Sequence, residues 1–578
     1  MALDYTAGFK QQVDQRLSQV EVRAGGGTGS LVTRYDLVYV QAPDSNRSLL
    51  ASVQRFGSNG ASSLPPWEFD YQTSARSFGP LAQYQSSDNY GLRVGHTEGG
   101  FASSGSIDLN GDALPDYVHR DVSNYNYPAS GAGTHWIRNL GLAVNDPTEN
   151  PPTPGFLHKY QQWSASNFNL SESDGSWGTL YRQLIDLDGD RFPDALDAGN
   201  TGASTCAWTI KRGNGSAFAA TAAAWQNAPA YTYQGVGYPS RCGLAYGSDS
   251  PFTNQRVVLI DLTGDGRPDR VLSMPNHAGS WQVAINYGWN ATSGTGSFSN
   301  AKTWPEPSLK VVEKTNGSGS IDPLLFDVNG DGLPDHVWWS SQWNVAYNFG
   351  AGFEPAVAIT GPVFGKLRNL ALCSQCGFYA DVLDINGDGL PDRLEMLSSP
   401  TRLEVWFGTG TGFKSSSIQW QPGGGWWNVG GSLVVWRPAD WMTWGSAFDL
   451  RDLNGDGLLD RAPSVFHESF NGHTTFNAGP FPDLMSAASS PLGGVVQYEY
   501  GAAANQPNAA GTATANGNLP MPRWVVAKTT RSDGRVGTPQ IVDTFLYRNG
   551  GYDRAEREFR GFGEVVQSAL LTGGAVES

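Results

Sequence analysis

The chain has 578 residues, of which 39% are hydrophobic and 16% charged, with 72 glycines, 34 prolines and a formal net charge of −16. That length allows a large core and two to four domains, and the glycine and proline content suits many short strands and turns rather than long helices or disorder. The acidity and the lack of a basic stripe exclude nucleic acid as a partner class, no run reaches ~18 apolar residues for a membrane span, and Met1-Ala-Leu-Asp-Tyr-Thr-Ala7 is not a signal peptide.

In chain order, residues 1–95 read as a β-rich N-terminal segment. A short helical stretch is expected around Phe9 to Leu17, followed by strands at Leu31 to Val40, Ser48 to Phe56 and Trp67 to Tyr71, the last alternating strictly after Pro65-Pro66.

From 96 to 480 one short loop, Asp-x-(Asn/Asp/Thr)-Gly-Asp-x-x-(Pro/Leu)-Asp, recurs six times at spacings of 78, 75, 66, 57 and 68 residues. Position 1 is Asp108, Asp186, Asp261, Asp327, Asp384 and Asp452, and position 3 is Asn110, Asp188, Thr263, Asn329, Asn386 and Asn454. Position 5 is Asp112, Asp190, Asp265, Asp331, Asp388 and Asp456, and position 9 is Asp116, Asp194, Asp269, Asp335, Asp392 and Asp460. With a main-chain carbonyl from position 7 (Leu114, Phe192, Arg267, Leu333, Leu390, Leu458), each loop offers the all-oxygen donor set of a calcium cage. Glycine at position 4 (Gly111, Gly189, Gly264, Gly330, Gly387, Gly455) permits the positive φ such a wrap requires. An EF-hand would need a bidentate acid at position 12, yet that position reads His119, Asp197, Leu272, Trp338, Glu395 and Pro463. The other reading is a set of Asp/Gly-rich turns holding no ion.

Short apolar runs flank the loops, such as Val257-Val-Leu-Ile260 and Leu324-Leu-Phe326, and an aromatic strand with a glycine turn follows, as in Trp343-Asn-Val-Ala-Tyr-Asn-Phe-Gly350. A unit of ~60 to 75 residues holding four strands is a propeller blade, so the expected fold is an all-β, FG-GAP/integrin-like β-propeller of about six blades. Up to six Ca2+ would offset much of the charge: 19 carboxylates sit at ligand positions, and +12 from metal would leave the chain near −4. Loop two, with four carboxylates, is expected to bind tightest and loop three, with Thr263, more weakly. Calcium loops point to extracellular surroundings, where a Cys206–Cys242 bridge within one repeat and a local Cys373–Cys376 bridge are both permitted.

From 481 to 578 the loops stop and hairpins are expected around Pro491 to Tyr500 and Trp524 to Thr530. Nothing in the sequence assembles a catalytic site: the eight histidines are scattered, no HExxH or Gly-x-Ser-x-Gly is present, Gly408-Thr-Gly-Thr-Gly-Phe413 opens no helix, and no enzyme is expected. The tryptophan-rich insertion from Gly423 to Trp444 (Trp426, Trp427, Trp436, Trp441, Trp444) is a candidate docking surface, against the alternative that it folds back as core.

The lead-in Val32-Thr-Arg-Tyr-Asp-Leu-Val-Tyr39, Leu49-Leu-Ala-Ser-Val-Gln-Arg-Phe-Gly57, Leu64-Pro-Pro-Trp-Glu-Phe69, the repeated loops, Asp483-Leu-Met-Ser486 with Leu492-Gly-Gly-Val-Val-Gln-Tyr-Glu-Tyr500, Leu519-Pro-Met-Pro-Arg-Trp-Val-Val526 and Tyr552-Asp-Arg-Ala-Glu-Arg-Glu-Phe-Arg-Gly-Phe-Gly563 together make a second signal. On these residues the chain resembles the N-terminal region of the TcB/SpvB family: B subunits of bacterial insecticidal toxin complexes and Salmonella virulence plasmid 65 kDa B-type proteins, with FG-GAP/VCBS-like repeats and often followed by Rhs/YD repeats. The resemblance implies a secreted docking and gating propeller whose partners are a channel-forming toxin subunit or an Rhs shell, with the hairpin segment 481–578 leading into that shell. The different reading is a glycan-binding or adhesive propeller of a cell-surface protein. Glu556-Arg-Glu558 has the form of a transferase acidic pair but lies within the family's structural tail.

Overall fold

A computed structural model describes residues 2–4, 11–13, 15–83, 96–98, 101–120, 134–142, 156, 161–164, 171–174, 179–199, 206–229, 242, 244, 254–255, 257–273, 280–305, 312–313, 320–321, 324–370, 378–398, 401–421, 447–464, 473–507, 515–535, 537–554 and 556–571. Among these the structure is strand and turn, with one 3-10 turn at Ala503–Asn505. The helix expected around Phe9 to Leu17 is not formed by its described part: Gln11–Val13 is a strand paired with Ala2–Asp4. A lone stretch of that length is marginal as a helix, and pairing satisfies its main chain instead.

Each repeat folds as a four-stranded antiparallel blade in which the aspartate loop joins the first strand to the second. The blades run Phe101–Ile107, Asp116–Arg120, Thr134–Ile137, Gln161–Ser164; Thr179–Ile185, Asp194–Asp197, Trp208–Lys211, Ala223–Gln226; and Val257–Ile260, Asp269–Ser273, Ser280–Ala284, Lys302–Pro305. The fourth is Leu324–Phe326, Asp335–Trp339, Trp343–Ala346, Val357–Ala358, and the fifth Phe378–Leu383, Asp392–Ser398, Thr401–Trp406, Ile418–Trp420. The sixth takes Ala447–Arg451, Asp460–Ser464 and His473–Asn477 from its own repeat, and its fourth strand is Phe78–Gln83. Six blades with one loop each therefore form an all-β propeller.

That closing strand corrects the boundary drawn at residue 95 from the sequence. A ring whose last blade lacked its fourth strand would expose a row of unpaired main-chain groups, and the lead-in covers that edge. Phe78 is 3% exposed and meets Trp420 edge-on at 6.3 Å between ring centroids.

The core is divided among the seams between blades. Leu109, Val118 and Trp163 of blade one pack on Leu184, Ala195 and Phe218 of blade two, and Trp208 and Trp225 of blade two pack on Phe298 of the third repeat. Phe353 and Leu325 reach the Trp281 cluster of blade three, Phe413 joins the fourth blade's cluster, Phe78 and Leu450 join the fifth, and Leu453 joins Tyr117, Ile137 and Phe156 to close six on one. Alternation along the strands sends one set of apolar side chains into each seam. The Cys206–Cys242 disulfide forms beside Trp208, whose indole N–H donates to the Cys242 carbonyl at 2.9 Å. Cys373 and Cys376 lie outside the described residues.

The two ends of the chain build one sheet. Its nine antiparallel strands are Gln19–Ala24, Ser30–Gln41, Ser48–Phe56, Trp67–Tyr71, Met485–Ser489, Val495–Ala502, Trp524–Ser532, Ile541–Asp553 and Glu558–Leu571 in that order. The join is Trp67–Tyr71 against Met485–Ser489, so segments that read as separate N- and C-terminal pieces are halves of a single structure.

Replacing Phe78 with alanine should destabilise the protein by about 3–5 kcal/mol, the usual range for emptying a buried phenylalanine site. Thermal melts of Phe78→Ala against Leu492→Ala, whose side chain is 92% exposed, would measure this. Equal melting temperatures would mean the closing strand does not hold the ring.

Candidate functional site

The aspartate loops are near-identical hydrogen-bonded units. In all six, the position-4 glycine N–H donates to Oδ1 of the position-1 aspartate at 2.7 Å. The N–H of position 6 donates to the other oxygen of the same carboxylate, as from Ala113 to Asp108 at 2.8 Å and Gly332 to Asp327 at 2.7 Å. The position-4 glycines sit at φ between 72° and 80°, where a side chain would be strained. At position 5 the carboxylate accepts the N–H of position 7, and in loops one, four, five and six its other oxygen accepts from the position-3 asparagine amide at 2.9–3.1 Å.

The position-9 aspartate ties the loop to the blade. One oxygen accepts the N–H of position 2 at 2.9–3.2 Å and the other accepts the N–H just past the third strand at 2.8–3.0 Å. All six of these aspartates have 0% exposure.

Two contacts then interlock the loops around the ring. The position-7 side chain of each blade lies on the position-4 glycine of the blade before it: Phe192 on Gly111, Arg267 on Gly189, Leu333 on Gly264, Leu390 on Gly330, Leu458 on Gly387 and Leu114 on Gly455. An added Cβ would come within 2.7–3.0 Å of each of these side chains, so the glycine is required for the neighbour as well as for the turn. The second contact uses the asparagine after the third strand. Asn139, Asn286, Asn348 and Asn477 donate to the position-2 carbonyls of the preceding blades, Leu453, Leu187, Leu262 and Ile385, at 2.8–2.9 Å. Blades two and five have Gly213 and Gly408 there, where a Cβ would lie 2.2 and 2.7 Å from the carbonyls of Pro193 and Pro391. Sequence reasoning treated position 7 only as a carbonyl donor and gave the recurrent Asn-x-Gly no role; its period was visible, but its partner lies in another repeat.

Burial sets the electrostatics of these carboxylates. It raises Asp108, Asp269, Asp388 and Asp452 to about 7 and Asp335 to about 8, and puts Asp116, Asp194, Asp392 and Asp460 well above the ordinary carboxylate range. Repulsion from neighbouring aspartates adds to the desolvation in each. The residues predicted as ligands are therefore brought together in all-oxygen loops, the donor chemistry a hard divalent cation fits, with the guanidiniums of Arg138, Arg212 and Arg267 beside Asp112, Asp190 and Asp265. The N–H bonds leave lone pairs on the carboxylate oxygens. In loop two, oxygens of Asp186, Asp188 and Asp194 converge within 4.8 Å of one another.

The nine-stranded sheet is docked on the loop face. Arg554 donates to the main-chain carbonyls of Asp190 at 2.8 Å and Gly111 at 3.3 Å, with its guanidinium 3.6 Å from the Phe192 ring centroid. Arg557, at φ 55°, lies over Gly189 and Gly266. Arg47 donates to the Asp388 carbonyl, and the Trp524 indole to that of Asp456. Glu556 and Glu558 belong to the turn that carries these arginines: the Glu556 N–H donates to Asp553, and Glu558 pairs with Arg560. The tryptophan insertion from Gly423 to Trp444 lies outside the described residues.

Residues 435–573 match the family model of the insecticide toxin TcdB middle/N-terminal region. In fold the chain is similar to the Photorhabdus luminescens Tc holotoxin pore, with a TM-score of 0.62 at 18% identity over 98% of this chain and 23% of that one. It is similar also to TcdB2-TccC3, with a TM-score of 0.54 at 19% identity over 99% of this chain and 24% of that one. The chain thus spans less than a quarter of the length of those chains. No curated protein matches it. The resemblance to TcB-type toxin-complex proteins is borne out, by the family model in the C-terminal part and by the fold over almost the whole chain.

Gly330→Ala and Gly332→Ala separate the two demands on loop glycines. Both positions have positive φ, 74° and 88°, but a Cβ at 330 meets Leu390 at 2.9 Å and one at 332 meets nothing within 4 Å. Strain of about 1–2 kcal/mol is expected at each, with a further 1–3 kcal/mol at 330 from overpacking, readable as the larger fall in melting temperature. A second expectation follows from the raised carboxylates. Their folded pKa values exceed the unfolded value of about 3.9, so folding takes up protons and metal-free stability falls as pH rises from about 4 through 7–8. Metal-free melting temperatures should be lower at about pH 8 than at about pH 5.5, and a rise over that interval would contradict the assigned shifts.

Proposed function

We propose that this chain is the docking and gating propeller of a bacterial toxin-complex B subunit, stiffened by calcium in its aspartate loops and acting outside the cell through protein partners rather than by catalysis. The observation that supports it best is the joint presence of a TcdB-type match over residues 435–573 and a closed six-bladed ring fused to a sheet built from both ends of the chain. Proteins of similar fold occur in a holotoxin pore and bound to TccC3, which favours protein partners for this one.

The geometry favours a division of labour between the two faces of the ring. Arg554, Trp524 and Arg47 fasten the sheet to the face bearing the loops. The strands flanking the tryptophan insertion, Ile418–Trp420 and Ala447–Arg451, meet it at their ends away from those loops, because each loop closes the other end of the first strand. On this reading the insertion is the docking segment for a channel-forming subunit, and calcium, where bound, supplies the positive charge that a cluster of three or four carboxylates needs.

The test is biolayer interferometry of the chain on an immobilised channel-forming toxin subunit from the same source. Measurable binding is expected, with Trp426→Ala/Trp427→Ala weakening it about tenfold or more and leaving the melting temperature nearly unchanged, as for anchor tryptophans at an interface centre. No binding by the unaltered chain would overturn the docking reading, and a large fall in melting temperature with unaltered binding would place these tryptophans in the core.

A further inference from the structure

The first residue past the buried position-9 aspartate reads Tyr117, Ala195, Arg270, His336, Arg393 and Arg461 around the ring. In blade five the arginine there is satisfied. Arg393 donates to the carbonyls of Lys366 at 3.0 Å and Leu394 at 3.1 Å and pairs with Glu395 at 3.3 Å, while Asp381 on the neighbouring strand adds attraction. Blade three keeps the positive charge and loses those partners. Its register places Leu272 where blade five has Glu395, and Val258 where blade five has Asp381.

Arg270 is 0% exposed, and its Nε, Nη1 and Nη2 are all buried without a hydrogen-bond partner; among the described residues it is the one arginine of which this holds. Burial is the sole influence on its charge, with no described carboxylate close enough to offset it. The guanidinium reaches into the seam with blade two and lies 4.5 Å from the ring centroid of Trp208. Trp208 belongs there to an apolar cluster with Leu187, Leu196, Ala284 and Phe298, all fully buried. Its indole N–H is spent on the Cys242 carbonyl, and that of Trp225, directly opposite on the next strand, is buried with no acceptor. Unpaired indoles recur at Trp163, Trp281 and Trp420, so it is the guanidinium that sets this seam apart. A guanidinium does not deprotonate in a protein, and an indole face attracts it without carrying a net charge. The seam therefore holds a positive charge that wants a counter-ion.

We propose that Arg270 is the anchor of a buried site for a monovalent inorganic anion, chloride, in the seam between blades two and three. One guanidinium is balanced by one negative charge, and a monatomic ion accepts N–H donors from any direction while requiring no donor geometry of its own. A divalent oxyanion would bring surplus charge and oxygens that apolar walls leave unsatisfied. Water would fill the same space without balancing the charge. Held by the second strand of blade three against the tryptophans of blade two, the ion is a structural ligand of the ring, joining two blades by a charge-assisted contact where other seams use apolar packing alone or an arginine with protein partners.

The experiment is equilibrium dialysis of the full chain against radiolabelled chloride in a calcium gluconate buffer, with thermal melts at constant ionic strength in sodium chloride and in sodium gluconate, whose anion is too large for a buried seam. One saturable chloride per chain is expected, and none in Arg270→Met, which keeps an unbranched side chain and removes the charge. The unaltered chain should melt higher in chloride than in gluconate, and Arg270→Met at the same temperature in both. If Arg270→Met does not fold, bromide anomalous scattering from crystals of the unaltered chain takes its place, with a peak expected at hydrogen-bond distance from the Arg270 guanidinium. No saturable chloride, the same chloride count in both proteins, equal melting of the unaltered chain in the two salts, or a guanidinium with no bromide beside it would overturn the proposal.

Discussion

A carboxylate buried without access to water, its two oxygens spent on main-chain N–H groups from different strands, is the contact on which this propeller depends. The position-9 aspartate makes it in every blade, holding the start of the loop and the end of the third strand at fixed distances. Removing a buried charged acceptor of this kind leaves two donors unsatisfied, which makes the position far less tolerant than its neighbours. Because the loop is fixed, the side chain at position 7 and the asparagine beyond the third strand are both aimed at the preceding blade. Local geometry thus becomes contact around the ring.

The same burial makes the loops electrostatically demanding. Several carboxylates buried in one loop, as Asp186, Asp188 and Asp194 are in loop two, need either protons or positive charge. Arginines meet part of that demand in loops one to three, and asparagine amides contact the position-5 carboxylate in loops one, four, five and six. The loops nonetheless look alike, since their hydrogen-bonded frame is the same in each.

Contacts between propeller and sheet are made at the same loops. Arg554 and Trp524 contact main-chain carbonyls within them, so the sheet is fastened to the segments that also make the contacts between blades. The sheet in turn requires both ends of the chain, joined at Trp67–Tyr71 and Met485–Ser489, and the strand that follows its N-terminal half, Phe78–Gln83, closes the ring. Ring and sheet are consequently assembled by the same two crossings between residues far apart in sequence.

What the sequence alone determined was whatever lies within one repeat. The number of loops, the six blades, the strands at Ser48–Phe56 and Trp67–Tyr71 and the positive-φ glycines all follow from spacing and residue type, because a turn and its hydrogen bonds involve nine consecutive residues. The tertiary structure decided what joins distant parts: the closing strand, the single nine-stranded sheet, Leu114 on Gly455, and Asn139 on Leu453 across 314 residues. It also decided which loops receive an arginine, since Arg554 meets Gly111 across 443 residues. Where such partners do recur in the sequence, as the Asn-x-Gly segments do, the period shows each residue but not its partner, because the pairing across repeats is fixed only when the ring closes.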